Sequence, residues 1–379
     1  MKIALVHDWL VNLSGAERVL IELHKIFPDA PIYTLFHNKK FTSQYFTEAE
    51  IRPSFLQKIP GITKNYKYFF FLMPTAIESF DLSDFDIVIS SSAIFSKGLV
   101  LKPKTKHICY CYSPTRQIWD LNAQSSRTND QGFSLSALSF KLAQHLLRIW
   151  DRQASDRVDQ FVAISEHVRQ RIKKYYRRGA KVIYPPISFP AKPELRNRES
   201  SIFQPNHSDL GKIGTPYYLI VSRLYPHKNI DIAVEAFAKL NLPLVIIGTG
   251  PEFKKLKANT YNLKAIRLLG FVPDEKLPYY YRNCRAFIMP QEEDFGLTPL
   301  EAMSYGKPVL ALRKGGAVET IIEGKTGEFF DDPIPEALAD GVRRLNENYS
   351  NYDSKVITTQ AQKFSSQKFK NDILTFVNK

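Results

Sequence analysis

Short apolar runs alternate along this chain with longer amphipathic stretches. In the first half, runs at Ile3 to Val6, Ile32 to Leu35, Ile87 to Ser90, His107 to Tyr110, Phe161 to Ile164 and Val182 to Tyr184 read as strands. Helical spacing marks Ala16 to Phe27, Leu135 to Ser155 and Glu166 to Tyr176. The second half opens on Tyr217-Tyr218-Leu219-Ile220-Val221, the unbroken apolar run of a strand buried on both faces. Strand-like runs follow at Leu244 to Ile247, Ile266 to Leu269, Phe287 to Met289 and Val309 to Leu312, with helices between. This alternation predicts an α/β protein with parallel sheets covered by helices on both faces. The run Ile187 to Gly214, rich in Pro, Asn and Ser and without a clear period, predicts a linker. The expected division is a domain at 1–187, a linker at 188–214 and a domain at 215–354.

The most informative stretch is Glu293-Asp294-Phe295-Gly296-Leu297-Thr298-Pro299-Leu300-Glu301. It follows an apolar run that ends at Met289-Pro290 and opens a predicted helix. Thr298 suits the N-cap, Pro299 the first helical position and Gly306 the stop. A strand, a glycine turn and a helix N-terminus form an anion site. An ionised carboxylate only accepts hydrogen bonds, so Glu293 and Glu301 suit hydroxyl groups. Phosphate plus polyol points to a nucleotide sugar.

Two Glu separated by seven residues, with Phe-Gly between, resemble the motif of family 4 retaining glycosyltransferases of the GT-B fold. Ser222-Arg223-Leu224, Lys228-Asn229, Ile247-Gly248-Thr249-Gly250-Pro251, Gly270-Phe271-Val272 and Gly315-Gly316 agree in order. In the amino half, His7-Asp8-Trp9, Gly15-Ala16-Glu17-Arg18, Ser90-Ser91-Ser92, Ser113-Pro114-Thr115-Arg116, Trp119-Asp120 and Tyr184-Pro185-Pro186 resemble the bacterial polysaccharide mannosyltransferases of that family. The resemblance implies two Rossmann-like domains facing across a cleft, with a C-terminal helix at about 355–379 packing back onto the first domain.

Breaking a sugar–phosphate bond puts negative charge on the departing diphosphate, so fixed positive charge must await it. The resemblance assigns Arg223 and Lys228 to that diphosphate, Glu293 to the donor sugar and its reacting centre, and Glu301 to the ribose. Thr298-Pro299-Leu300-Glu301 is also a capping box in its own right. Backbone amides of Gly296, Leu297 and Thr298 would face the donor. Gly15, in the capping box Ser14-Gly15-Ala16-Glu17, reads as a phosphate-facing glycine or a plain helix start. Gly248 reads as a structural turn or a wall near the donor, and Phe271 and Val272 as the place where the base meets the backbone. On the acceptor side the candidates are His7, Asp8, Tyr112 and Arg116. Relatives often carry His where this chain has Tyr112, and some carry it where Ala93 stands. For His7 a purely structural part is the competing reading.

The bulk numbers narrow the picture. With 379 residues, 44% hydrophobic and 24% charged, the chain reads as an ordinary two-domain globular protein. No apolar run nears the ~20 residues of a membrane span, and no signal peptide is read at the start. Of the three cysteines, Cys109, Cys111 and Cys284, the first two lie in a strand-like run and read as apolar fillers. The net charge of +14 suits phosphorylated ligands and an anionic membrane surface. Nucleic acid is disfavoured, for want of a zinc-finger spacing, an RNP-type stretch or a recognition helix. Arg52 to Met73 mixes Lys58, Lys64 and Lys67 with many aromatics, which suits a bilayer interface or a core beneath a basic surface. The basic helix bearing Arg169, Arg171, Lys173, Lys174, Arg177 and Arg178 reads as a solvated face.

The expectation is therefore a hexosyltransferase moving mannose from GDP-mannose, with retention, onto a glycan or lipid-linked glycan in cell-surface polysaccharide synthesis. It would need no cofactor beyond the donor and no metal, since no Asp-x-Asp pair follows a strand. It would work in the cytoplasm, peripheral at the inner membrane face. Rival readings are a UDP-sugar transferase, an epimerase or synthase on the same fold, and a non-catalytic sugar-nucleotide or nucleic-acid binder.

Overall fold

The computed structural model describes residues 1–120, 135–187 and 216–378. The predicted linker, 188–214, lies outside the described residues. Two compact units result: Met1–Pro186 with Ser366–Lys379, and Ile187–Ser365.

The first unit holds a seven-stranded, all-parallel sheet. Its strands are β1 (Ile3–His7), β2 (Ile32–Thr34), β3 (Ile51–Pro53), β4 (Ile87–Ser92), β5 (Lys106–Cys111), β6 (Gln160–Ala163) and β7 (Ala180–Val182), in spatial order β3-β2-β1-β4-β5-β6-β7. The chain reverses direction across the sheet between β1 and β4, so their carboxyl ends form the natural crevice of such a fold. Ala4, Val6, Tyr33 and Val88 meet Phe36, Met73, Ile77 and Phe95 in one core. Trp9, in the His7-Asp8-Trp9 run, stacks on Phe36 and tilts against Tyr66.

The second unit holds a six-stranded parallel sheet. Its strands are β8 (Tyr217–Val221), β9 (Leu244–Ile247), β10 (Ile266–Gly270), β11 (Cys284–Met289), β12 (Val309–Leu312) and β13 (Gly327–Phe330), in order β10-β9-β8-β11-β12-β13. Its core joins Tyr218, Ile220, Phe237, Ile246, Ile288 and Leu310. Two edge strands escaped the apolar pattern. β3 is three residues long with an exposed Arg52 and Pro53, and β13 begins on Gly327-Glu328.

The return of the chain to the first unit starts later than expected. The helix Ser354–Gln362 stays with the second unit, burying Ile357, Gln360 and Ala361, and Gln360 Nε2 donates to the Thr320 carbonyl at 3.1 Å. Only the helix Ser366–Val377 joins the first unit, where Phe369 meets Tyr110 edge-on.

Candidate active site

The carboxyl edge of the second sheet gathers the predicted donor residues. Arg223 follows β8, exposed, with its guanidinium over the Tyr225 ring. A single tight turn, Pro226–Lys228, then delivers Lys228 to the end of β11. Asn229, in the left-handed region, fixes this turn by donating from Nδ2 to the Pro290 carbonyl at 3.1 Å. The buried Lys228 ammonium donates to Glu293 Oε1 in a tight ion pair. Gln291 Nε2 donates to the same oxygen at 2.9 Å, while Gln291 Oε1 is buried without a hydrogen-bond donor among the described residues. Glu293 is held through its backbone as well. Gly316 N–H donates to the Glu293 carbonyl at 2.9 Å, and a Cβ on Gly315 would stand 2.1 Å from that oxygen. Glycine at 315 is therefore what lets the loop after β12 reach Glu293.

The helix beyond spans Leu297–Ser304, and its N-cap is Gly296, not Thr298. Thr298 sits inside the first turn. The expected capping box accordingly does not form: Glu301 Oε2 instead accepts from the Tyr281 hydroxyl at 2.6 Å. The backbone of Gly296-Leu297-Thr298 still opens the helix beside Glu293, where the helix dipole favours an anion. Gly248 has a structural part. A Cβ there would stand 1.8 Å from the Ser222 carbonyl, so glycine lets the turn after β9 close against the segment carrying Arg223. Phe271 and Val272 follow Gly270 at the end of β10, with the Phe271 ring exposed.

The edge of the first sheet is different. Asp8, expected to meet a ligand, is buried, and its carboxylate accepts four backbone N–H groups, from Ala93, Ile94, Phe95 and Ser96, at 2.7–2.9 Å. Four short bonds occupy both oxygens, so Asp8 holds the loop after β4. His7 Nδ1 lies 3.0 Å from the Ser91 carbonyl, and Nε2 lies 3.6 Å from Glu17 Oε1. Burial opposes charge on His7, yet the facing Glu17 carboxylate and the Asp8 charge outweigh it and hold the imidazole above its ordinary pKa. Burial likewise works against an ionised Glu17, but His7 and Ser14 hold it below the carboxylate range. Each group thus favours the charged form of the other.

Gly15 opens the helix Gly15–Ile26, with Ser14 as N-cap and Glu17 Oε2 accepting from the Ser14 N–H at 2.9 Å. Glu17 therefore serves the capping box and His7 at once. Tyr112 has its hydroxyl 2.8 Å from Ser91 Oγ and donates to the Ala16 carbonyl at 3.0 Å. It ties the start of that helix to β4. Arg116 opens the one-turn helix Arg116–Trp119 and is half-buried.

Sequence reasoning missed Gln291 and underrated Glu17. A polar residue directly after a buried strand was the available signal for the first. It also read Arg171 as solvated, whereas its guanidinium grips Asp120 in a two-pronged ion pair at 2.8 and 3.1 Å. Among the described residues no three His, Cys, Asp or Glu side chains converge as a metal site requires.

Two doubly wound parallel sheets, the second edged by Arg223, Lys228 and Glu293, define a two-domain nucleotide-sugar type of fold, GT-B. Residues 13–189 match the family described as Glycosyltransferase Family 4, and residues 204–364 that described as Glycosyl transferases group 1. The chain belongs to the family 4 glycosyltransferases of the GT-B fold. It is 23% identical to the alpha-1,3/1,6-mannosyltransferase ALG2 of Candida glabrata, over 98% of this chain and 92% of that one. It is 32% identical to the GDP-mannose-dependent alpha-(1-6)-phosphatidylinositol monomannoside mannosyltransferase of Mycolicibacterium smegmatis, over 34% of this chain and 38% of that one. Other curated relatives are matched over about a third to a half of their own length. Among solved structures, Anabaena Alr3699/HepE in complex with UDP superposes with a TM-score of 0.70 at 19% identity, covering all of both chains.

Proposed function

We propose that the protein transfers mannose from GDP-mannose, with retention and without a metal ion, to a hydroxyl of a glycan or lipid-linked glycan. The observation that carries this is the Lys228–Glu293 pair at the second sheet's edge, beside Arg223 and the start of the helix Leu297–Ser304. On this reading Lys228 turns toward the diphosphate and Arg223 grips two of its oxygens, so that leaving-group charge develops against cations already in place. Glu293, relieved of part of its pairing, accepts from the sugar hydroxyls. Glu301, anchored by Tyr281, takes the ribose. The leaving phosphate itself receives the acceptor proton on the same face, which preserves the anomeric configuration. Mannose and the guanine nucleotide are favoured by the two mannosyltransferase relatives, one of them GDP-mannose-dependent.

The test is a thermal-shift panel of GDP-mannose, UDP-glucose, UDP-galactose and UDP-N-acetylglucosamine, followed by turnover. GDP-mannose should raise the melting temperature most, because it favours the folded state. The protein should hydrolyse or transfer its sugar in the presence of EDTA, releasing the α-anomer first by NMR. A larger shift with a UDP-sugar overturns the donor assignment, and full turnover by Lys228→Ala and Glu293→Ala overturns the site.

A further inference from the structure

We propose that the first unit carries a lipid-facing surface, built from residues 55–72 and the outer stripe of the helix Leu135–Asp156, that docks on an anionic bilayer. In the first segment Tyr68 is 78% exposed, Phe71 67% and Phe55 44%. On the helix Leu142 is 58% exposed, Leu146 57% and Ile149 45%. These last three recur at four and three residues apart, so they share one helical face. The opposite face packs inward. Phe70 meets Phe95 at 4.7 Å between ring centres, Phe95 meets Trp150 at 5.6 Å, and Leu147 lines the same small cavity. Trp150 Nε1 also donates to Glu78 at 2.8 Å. This shared inner packing sets the two outer faces side by side.

Single exposed apolar residues are ordinary on a protein surface; six large ones on two adjoining elements mark an interaction site. Charge selects the occupant. Residues 51–77 contain Arg52, Lys58, Lys64 and Lys67 and no Asp or Glu, and residues 135–150 contain Lys141 and Arg148 and no Asp or Glu. Lys58, Lys64, Lys67 and Lys141 are exposed. Aromatic and aliphatic side chains among cations fit the headgroup boundary of an anionic membrane, where rings enter the interface and ammonium groups meet lipid phosphates. A second copy fits poorly, because a two-fold contact would set this predominantly basic surface against itself. No helix among the described residues is long and apolar enough to cross a membrane, so the contact is with the surface. The inference does not depend on the donor or on the transfer reaction.

The test is co-sedimentation of the full chain with vesicles of phosphatidylcholine alone and of phosphatidylcholine with an equal part of phosphatidylglycerol. The protein should bind the mixed vesicles, bind the neutral ones far less, and dissociate in molar salt. Phe71→Ser with Leu146→Ser should weaken binding at least about tenfold. Lys58→Gln, Lys64→Gln and Lys67→Gln together should weaken it about a hundredfold. All these positions are solvent-facing, so melting temperature and GDP-mannose shift should stay as in the wild type, which separates this test from that of the transfer reaction. Wild-type binding by both variants overturns the proposal. So does a vesicle-inert protein whose solution mass is that of a dimer and falls to a monomer in Phe71→Ser/Leu146→Ser.

Discussion

The carboxyl edges of the two sheets are built alike and used differently. At the first, polar side chains satisfy one another: Asp8 takes four backbone amides, His7 faces Glu17, and Tyr112 bridges Ser91 and Ala16. In the same unit, Asp151 gathers buried Lys97 at 2.6 Å, Thr115 at 2.8 Å and Tyr176 at 2.8 Å, and half-buried Trp119 at 2.7 Å. At the second edge, Arg223 stands exposed and Glu293 is half-buried. One edge has spent its polar groups on holding loops. The other keeps charge where a ligand can reach it. A buried network that is fully paired rigidifies its surroundings, whereas groups that remain accessible can change partners.

That contrast predicts which substitutions cost stability and which cost turnover. The largest effect belongs to the first unit. Asp151→Ala leaves the Lys97 ammonium, 1% exposed, without its carboxylate, and should destabilise the protein by about 3–5 kcal/mol in urea unfolding. If stability were unchanged, the first unit's network would not be the structural one. Lys228→Ala should lower turnover about 100- to 1000-fold while moving the unfolding midpoint little. The reverse pattern, intact turnover in an unstable protein, would erase the distinction between the edges.

A third effect depends on pH. Burial pushes His107 down to about 4, with Nε2 2.8 Å from Ser90 Oγ. A histidine held neutral in the folded state and titrating normally in the unfolded one takes up its proton on unfolding. Stability should therefore fall as pH drops from about 6.5 toward 4, by roughly 3 kcal/mol in total. His107→Gln should flatten that slope in unfolding curves measured across the window; an unchanged slope would remove His107 as its source. The smallest effect belongs to the Glu301 anchor. Tyr281→Phe deletes one hydrogen bond at 2.6 Å and should weaken nucleotide-sugar binding by about 1 kcal/mol, read by calorimetry. Equal affinity would show that Glu301 needs no anchor to bind its ligand.

Much of this was legible in the chain. The apolar runs located eleven of the thirteen strands among the described residues, and the glutamate pair with its intervening Phe-Gly marked the second edge. The two missed strands are edges with little apolar content, β3 carrying Arg52-Pro53 and β13 starting at a glycine. Local propensity misplaced the N-cap at Thr298, because the chain uses Gly296 in a positive-φ conformation to turn directly out of the strand segment. Propensity also made a capping box of Glu301, which tertiary structure gave to Tyr281.

The order of hydrophobic runs, glycines and charges determined the class of fold, the position of the donor edge and the identity of its cations and carboxylates. These follow from short-range constraints: strand burial, turn geometry and the types of group that can meet a diphosphate. Only the tertiary structure decided what each polar group faces. Asp8 and Glu293 are both carboxylates at the end of a parallel strand. One meets four backbone amides and the other a lysine ammonium, because partners 65 to 88 residues away along the chain are brought to them by the winding of each sheet.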